Sequence, residues 1–180
     1  MITRILPVAV AALTLTACGA DTKTTAAAPS SGSPATEAAA PSPSESDDRT
    51  TTVGQWAHAS DGLDFRVSRI ERGTISDTSA GGHPGGPAVV VFVQLRNGTG
   101  ARFDMGDLTV TVRAGDDGTD SERVYQDGYD SLADGSLSPA RTATFKQMFT
   151  VPSKAAFKTI AVEVAPGAEY PTATFEGTAY

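Results

Sequence analysis

No Val, Ile, Leu, Met, Phe, Tyr or Trp stands between Gly19 and Thr52. A segment without large apolar side chains cannot offset its ordering entropy by burial. Residues 18–52 are therefore expected to form a disordered linker, and residues 53–180 the folded unit, a common size for one domain. The linker is built mainly from Ala, Ser, Thr and Pro, and prolines at 29, 34, 41 and 43 work against a helix despite the alanines. As a coil, residues 19–52 reach roughly 30 Å root-mean-square, from the square-root dependence on length.

The segment ahead of the linker has the opposite character. Arg4 gives a short positive start, and Ile5 to Leu15 is apolar apart from interruptions at Pro7 and Thr14. That run is shorter than the roughly 20 apolar residues a bilayer core requires, but it suits the apolar region of a secretory signal. Leu15-Thr16-Ala17-Cys18 follows. These residues resemble the lipobox of bacterial lipoproteins, which implies that residues 1–17 are a signal peptide and that Cys18 is the lipidated N-terminus of the mature chain. The expected location is the extracytoplasmic face of the cell membrane, with the membrane itself as the first partner.

Charge and cysteine content exclude several function classes. The net charge is -7, and losing Arg4 makes the mature chain more acidic still. Phosphate backbones and anionic headgroups repel such a chain as a whole, so no nucleic-acid partner is expected. Cys18 is the single cysteine. Residues 53–180 therefore cannot build a disulfide, a thiol nucleophile or a thiolate metal site.

From Val53 onward the apolar pattern changes to period two. Gly62 to Val67 alternates, as a half-buried strand does. Ala88 to Leu95 is almost continuously apolar and β-branched, which reads as a central strand, and Asn97-Gly98-Thr99 ends it with a turn. Leu108 to Val112 alternates again, Asp116-Asp117-Gly118 marks a tight turn, and Glu122 to Gln126 indicates a return strand. Thr142 to Val151, Thr159 to Val164 and Ala173 to Phe175 complete the set. No stretch keeps a helical period over three turns. The expected fold is all-β, an immunoglobulin-like antiparallel β-sandwich. Its core is expected to contain Phe65, Val67, Val89, Val91, Val93, Val110, Val112, Phe145, Phe149, Ile160 and Val162. The Gly- and Pro-rich stretch Thr74 to Pro87 reads as a long mobile loop between two strands.

Several of these markers occur together in one family. The run Gly62-Leu63-Asp64-Phe65-Arg66-Val67, the strand Val89 to Leu95 ending in Asn97, the Asp117-Gly118 turn, and Leu137-Ser138-Pro139 leading to Phe149-Thr150-Val151-Pro152 are similar to the immunoglobulin-like domain of unknown function 4352. That domain is common in lipoproteins of Gram-positive bacteria. Ala140 stands where the family pattern has Gly. The resemblance spans most of residues 53–165 and rests on strand and turn markers. It implies a fold, and it brings no catalytic residues with it.

The two histidines are His58, near the start of the domain, and His83, in the Gly-Pro loop. No Gly-x-Ser-x-Gly element is present. No enzyme activity, catalytic residue or cofactor is expected, and a hydrolase with an unrecognised site is the weakest alternative. Asp116, Asp117, Asp120 and Glu122 are the sharpest acidic cluster. Ca²⁺ takes six to eight oxygens, so a Ca²⁺-binding loop here is the main alternative. The preferred reading is a hairpin turn with solvated acids. Asn97-Gly98-Thr99 matches a glycosylation sequon but reads as a turn. Trp56, Tyr125, Tyr129 and Tyr180 have the amphipathic character of interface residues. The expected function is a non-catalytic extracytoplasmic binding or accessory module, with an envelope protein or a small exported ligand as partner.

Overall fold

The computed structural model describes residues 49–129 and 135–180. The expected signal peptide, Cys18 and linker residues 18–48 lie outside the described residues. No helix among the described residues is long and apolar enough to cross a membrane.

The fold is a β-sandwich. Its first sheet has the order β1-β12-β11-β6-β7, from Arg49–Thr52, Ala173–Gly177, Ile160–Ala165, Thr109–Ala114 and Thr119–Asp120. The second has the order β2-β3-β4-β10-β8, from Ala57–His58, Leu63–Thr74, Pro87–Asn97, Thr142–Thr150 and Arg123–Val124. A short pair joins β5 (Phe103–Asp104) to β9 (Ser136–Leu137). A 3-10 helix, Lys154–Lys158, follows Pro152 and Ser153. Pairing is antiparallel except between β1 and β12, which run parallel.

Alternation supplies the core. All eleven expected core residues belong to one buried cluster, joined by Leu63, Leu95, Val164, Phe157 and Phe175. Phe65 and Phe175 meet edge to face across the sheets, with ring centroids 6.2 Å apart. A bulge at Ser68 shifts the register between Val67 and Arg69. The extra residue reverses the alternation, so Ile70 stays inside while Arg69 turns outward.

Three local expectations change. Residues 49–52 were assigned to the linker because they lack large apolar side chains, yet they form β1, in register with Ala173 to Glu176. A threonine edge strand pairs through its backbone and needs no apolar face of its own. A chain beginning at Val53 is therefore expected to lose about 1–3 kcal/mol relative to one beginning at Arg49, lowering the melting temperature by several degrees. Identical thermal melts would show that β1 adds nothing to the fold.

The return strand after the Asp116–Gly118 turn is split. Thr119–Asp120 pairs with β6, and the chain then crosses so that Arg123–Val124 pairs with β10 in the other sheet. Alternation cannot show this, because it records which side chains are buried and not which strand supplies the hydrogen bonds.

The stretch from Thr74 to Pro87 is anchored along its length. Ile75 is buried with Ala88, Val90, Val124 and Met148 in a second apolar cluster. Ser76 N–H donates to Gln126 Oε1 at 2.8 Å, and Ala80 bridges Tyr125. A Cβ on Gly81 would stand 2.6 Å from the Arg123 carbonyl oxygen, so only glycine permits this approach. The loop thus roofs part of the outer face of the second sheet. With both faces covered there, β4 reads as a continuous apolar run.

Ala140 is the single non-glycine residue with positive φ among the described residues, at 59°. Arg141 N–H donates to the Ser138 carbonyl at 3.2 Å, which closes a turn with Pro139 second and Ala140 third. That third position favours glycine. Ala140→Gly is expected to raise stability by about 0.5–1 kcal/mol, the left-handed strain of alanine outweighing the extra freedom of glycine in the unfolded chain. A lower denaturation midpoint in the variant would show that Ala140 is not strained.

Candidate functional site

A groove of about 720 Å³ lies at one end of the second sheet. Its wall joins Arg72 and Gly73 of β3, Gly85 and Pro87 beside β4, Tyr129, and Lys154 and Phe157 of the 3-10 helix. The strand end and the 3-10 helix are far apart in sequence and are tied together through Ala179. Arg72 Nε donates to the Ala179 carbonyl at 3.0 Å, and its guanidinium lies 5.2 Å from the Phe157 ring centroid. Ala179 N–H donates to the Phe157 carbonyl at 2.9 Å, tying the helix to the end of the chain. Lys146 Nζ stands 5.1 Å from the Tyr129 ring centroid. The described lining therefore offers two cations, two aromatic rings and glycine backbone. Two cations beside aromatic rings suit the holding of an anionic ligand.

The acidic candidates are not gathered into one site. Asp116 accepts from the Thr159 hydroxyl at 2.8 Å, and Asp117 accepts from the Thr119 hydroxyl at 2.9 Å. Both line a hollow against the 3-10 helix. Asp120 lines a second hollow with Arg113 and Glu163, and Glu122 a third with His83. Among the described residues no group of three or more His, Cys, Asp or Glu side chains is placed to hold a metal ion.

His58 Nδ1 lies 2.7 Å from Asp64 Oδ1 on the exposed edge of the second sheet. His83 is exposed. At the end of the sandwich that carries β5 and β9, Tyr170 packs edge to face on Phe103, with centroids 5.5 Å apart. Burial, together with a hydrogen bond to the Asp61 carboxylate and the negative charges of Asp61 and Glu169, pushes the Tyr170 phenol up from its ordinary value.

Asn97 is a structural residue. Its side chain is wholly buried, with Nδ2 donating to the carbonyls of Ala101 and Leu137 at 2.9 and 2.8 Å. Its Oδ1 accepts from the Thr99 amide and hydroxyl at 3.0 and 2.7 Å. The sequon thus marks a turn whose amide is fully engaged. Of the candidate interface aromatics, Tyr125, Tyr129 and Tyr180 are 50%, 39% and 71% exposed, and Trp56 is half-buried under Arg66. Tyr129 alone lines the groove. Arg72, Lys154 and Phe157 gave no signal in the sequence, since only the folded chain brings them together.

The architecture defines a β-sandwich domain. No family model matches the chain, and no curated protein does. Solved structures with a similar fold include the YjhA protein of Bacillus subtilis, at 15% identity and TM-score 0.53, covering 64% of this chain and 82% of that one. They also include an uncharacterized β-sandwich protein of Clostridium difficile 630, at 14% identity and TM-score 0.48, covering 76% of this chain and 99% of that one. A third is YcdA, a candidate lipoprotein of Bacillus subtilis, at 14% identity and TM-score 0.48, covering 68% of this chain and 38% of that one. At such identities the likeness concerns the fold alone.

Proposed function

We propose that this chain is a lipid-anchored, non-catalytic extracytoplasmic binding module that engages an anionic group of an envelope partner in the groove between Arg72, Tyr129, Lys154 and Phe157. The observation that carries the reading is the composition of that groove. Arg72, held against the Phe157 ring, and Lys154 set two cations beside aromatic rings, an arrangement that binds an anionic group without further chemistry. The lipobox-like Leu15-Thr16-Ala17-Cys18 supports the anchor.

Site-specific photocrosslinking in intact cells tests the reading. A photoreactive residue at Tyr129 of the full chain is expected to capture one predominant envelope component. Arg72→Glu with Lys154→Glu should remove that product while leaving the folded protein in the membrane fraction. A probe at Thr109, on the other sheet, serves as the background. Equal yields from both positions would overturn the assignment of the groove.

A further inference from the structure

The strands of the second sheet carry six Arg or Lys residues against two Asp or Glu. Those of the first sheet carry two against three. Acids outnumber bases 21 to 14 in the whole chain, so the second sheet reverses the local balance. Four of the six cations, Arg66, Arg69, Arg96 and Lys146, stand on its outer face with Asp64 and Glu71, on the part that the Thr74 to Pro87 loop leaves uncovered, and Arg69 Nε donates to Glu71 Oε1 at 2.6 Å. Arg69, Phe92 and Lys146 are register neighbours across β3, β4 and β10. The Arg69 guanidinium lies 3.6 Å from the Phe92 ring centroid, and Lys146 Nζ lies 6.0 Å from it on the other side. In the next row Arg66 stacks 4.3 Å from the Trp56 ring centroid and is fixed by Gln94 Oε1 at 2.9 Å and the Gly54 carbonyl at 3.2 Å. Arg96 extends the exposed cationic area on β4.

We propose that this outer face lies against the anionic headgroups of the bilayer that holds the chain, a proposal that rests on the lipid-anchored reading. Net charge alone argues for repulsion, but distribution decides the orientation of a tethered body. The acidic remainder is pushed away while the cationic face turns toward the membrane. Cations and Trp or Tyr rings on a flat face match the headgroup layer, where amphipathic aromatics settle and polybasic surfaces are attracted. The first described strand is linked to β2, the edge strand beside this face: the Arg49 guanidinium donates to the carbonyl of His58. A tether keeps the domain at high effective concentration near the surface, so a weak preference is enough to populate one pose.

Trp56 is the only tryptophan in the chain and lies beside the face, so it reports docking directly. The full lipidated chain is placed on phosphatidylglycerol or phosphatidylcholine vesicles containing brominated lipid. Trp56 quenching is expected to be about twofold stronger on the anionic vesicles, with the difference screened away at high salt. Arg69→Gln with Lys146→Gln and Arg96→Gln should abolish the difference at unchanged melting temperature, whereas Arg113→Gln on the other sheet should not. Equal quenching on both lipids, or a wild-type response in the triple variant, would overturn the proposal. So would soluble polyphosphate that changes Trp56 emission without vesicles, since the face would then read phosphate rather than a membrane. Flotation measures anchoring separately. A chain that floats with both vesicles but shows equal quenching loses only the docking, while a chain that does not float loses the anchor and the docking together.

Discussion

Val91→Asp is expected to leave the domain unfolded at neutral pH. Val91 has no exposed surface and lies in the middle of β4, between Ile70 of β3 and Gln147 of β10. Its side chain faces the first sheet within the main cluster. Its cross-strand neighbours, Ile70 and the buried Gln147, offer no opposite charge to a carboxylate there. Leaving a charge buried and unpaired costs several kcal/mol, against a total stability of about 5–15 kcal/mol for a typical domain. Far-ultraviolet dichroism and amide dispersion should both collapse. Val91→Ala removes two methyl groups without adding charge and is expected to stay folded with a loss of about 1–3 kcal/mol. A cooperative melt for the Asp variant close to that of the native protein would mean that β4 does not present Val91 to the core.

The second large effect is expected at Asn97, for a different physical reason. Its amide makes four hydrogen bonds that join the end of β4 to Thr99, Ala101 and Leu137. The backbone adds two more links, from Asn97 N–H to the Arg141 carbonyl and from Ala140 N–H to the Asn97 carbonyl. Asn97→Ala leaves the Leu137 carbonyl and the Thr99 amide without their partner, and is expected to cost about 2–4 kcal/mol. Asn97→Asp separates this account from a simple packing loss. The new oxygen would face the carbonyls of Ala101 and Leu137, so at neutral pH the Asp variant should be no more stable than the Ala variant. Urea denaturation with unchanged slope measures both. An Asp variant as stable as the native protein would show that the donor side of the amide contributes nothing.

The two residues also show what the sequence could reveal. Val91 was identifiable because burial on both faces of β4 leaves a continuous apolar run, and the other core residues because one-sided burial leaves alternation. Asn97 was identifiable as the end of a strand, though its sequon pattern says nothing of an amide shared among three segments. Residues 49–52 were missed because backbone pairing leaves no mark on side-chain polarity. Ile75 is the one large apolar residue in a loop that otherwise packs through glycines, so its covering role produced no periodic signal. The groove was illegible for a further reason. Arg72 and Lys154 are ordinary surface residues in sequence, and their neighbourhood follows from how β3, the 3-10 helix and the end of the chain meet.

The strand order has a consequence for close packing of copies. Among the described residues the outermost strands are β1 and β7 in one sheet and β2 and β8 in the other, and none of them exceeds four residues. The longest strands, β3, β4 and β10, are interior to their sheet. Where β2 no longer accompanies β3, Arg72 N–H donates to the Tyr180 carbonyl and Tyr180 N–H to the Ile70 carbonyl. Neighbouring copies pressed together in two dimensions would therefore meet only brief runs of unsatisfied peptide groups. Such runs are too short to template a continuous ladder from one molecule to the next, so the described edges let the domain be crowded without polymerising through its sheets.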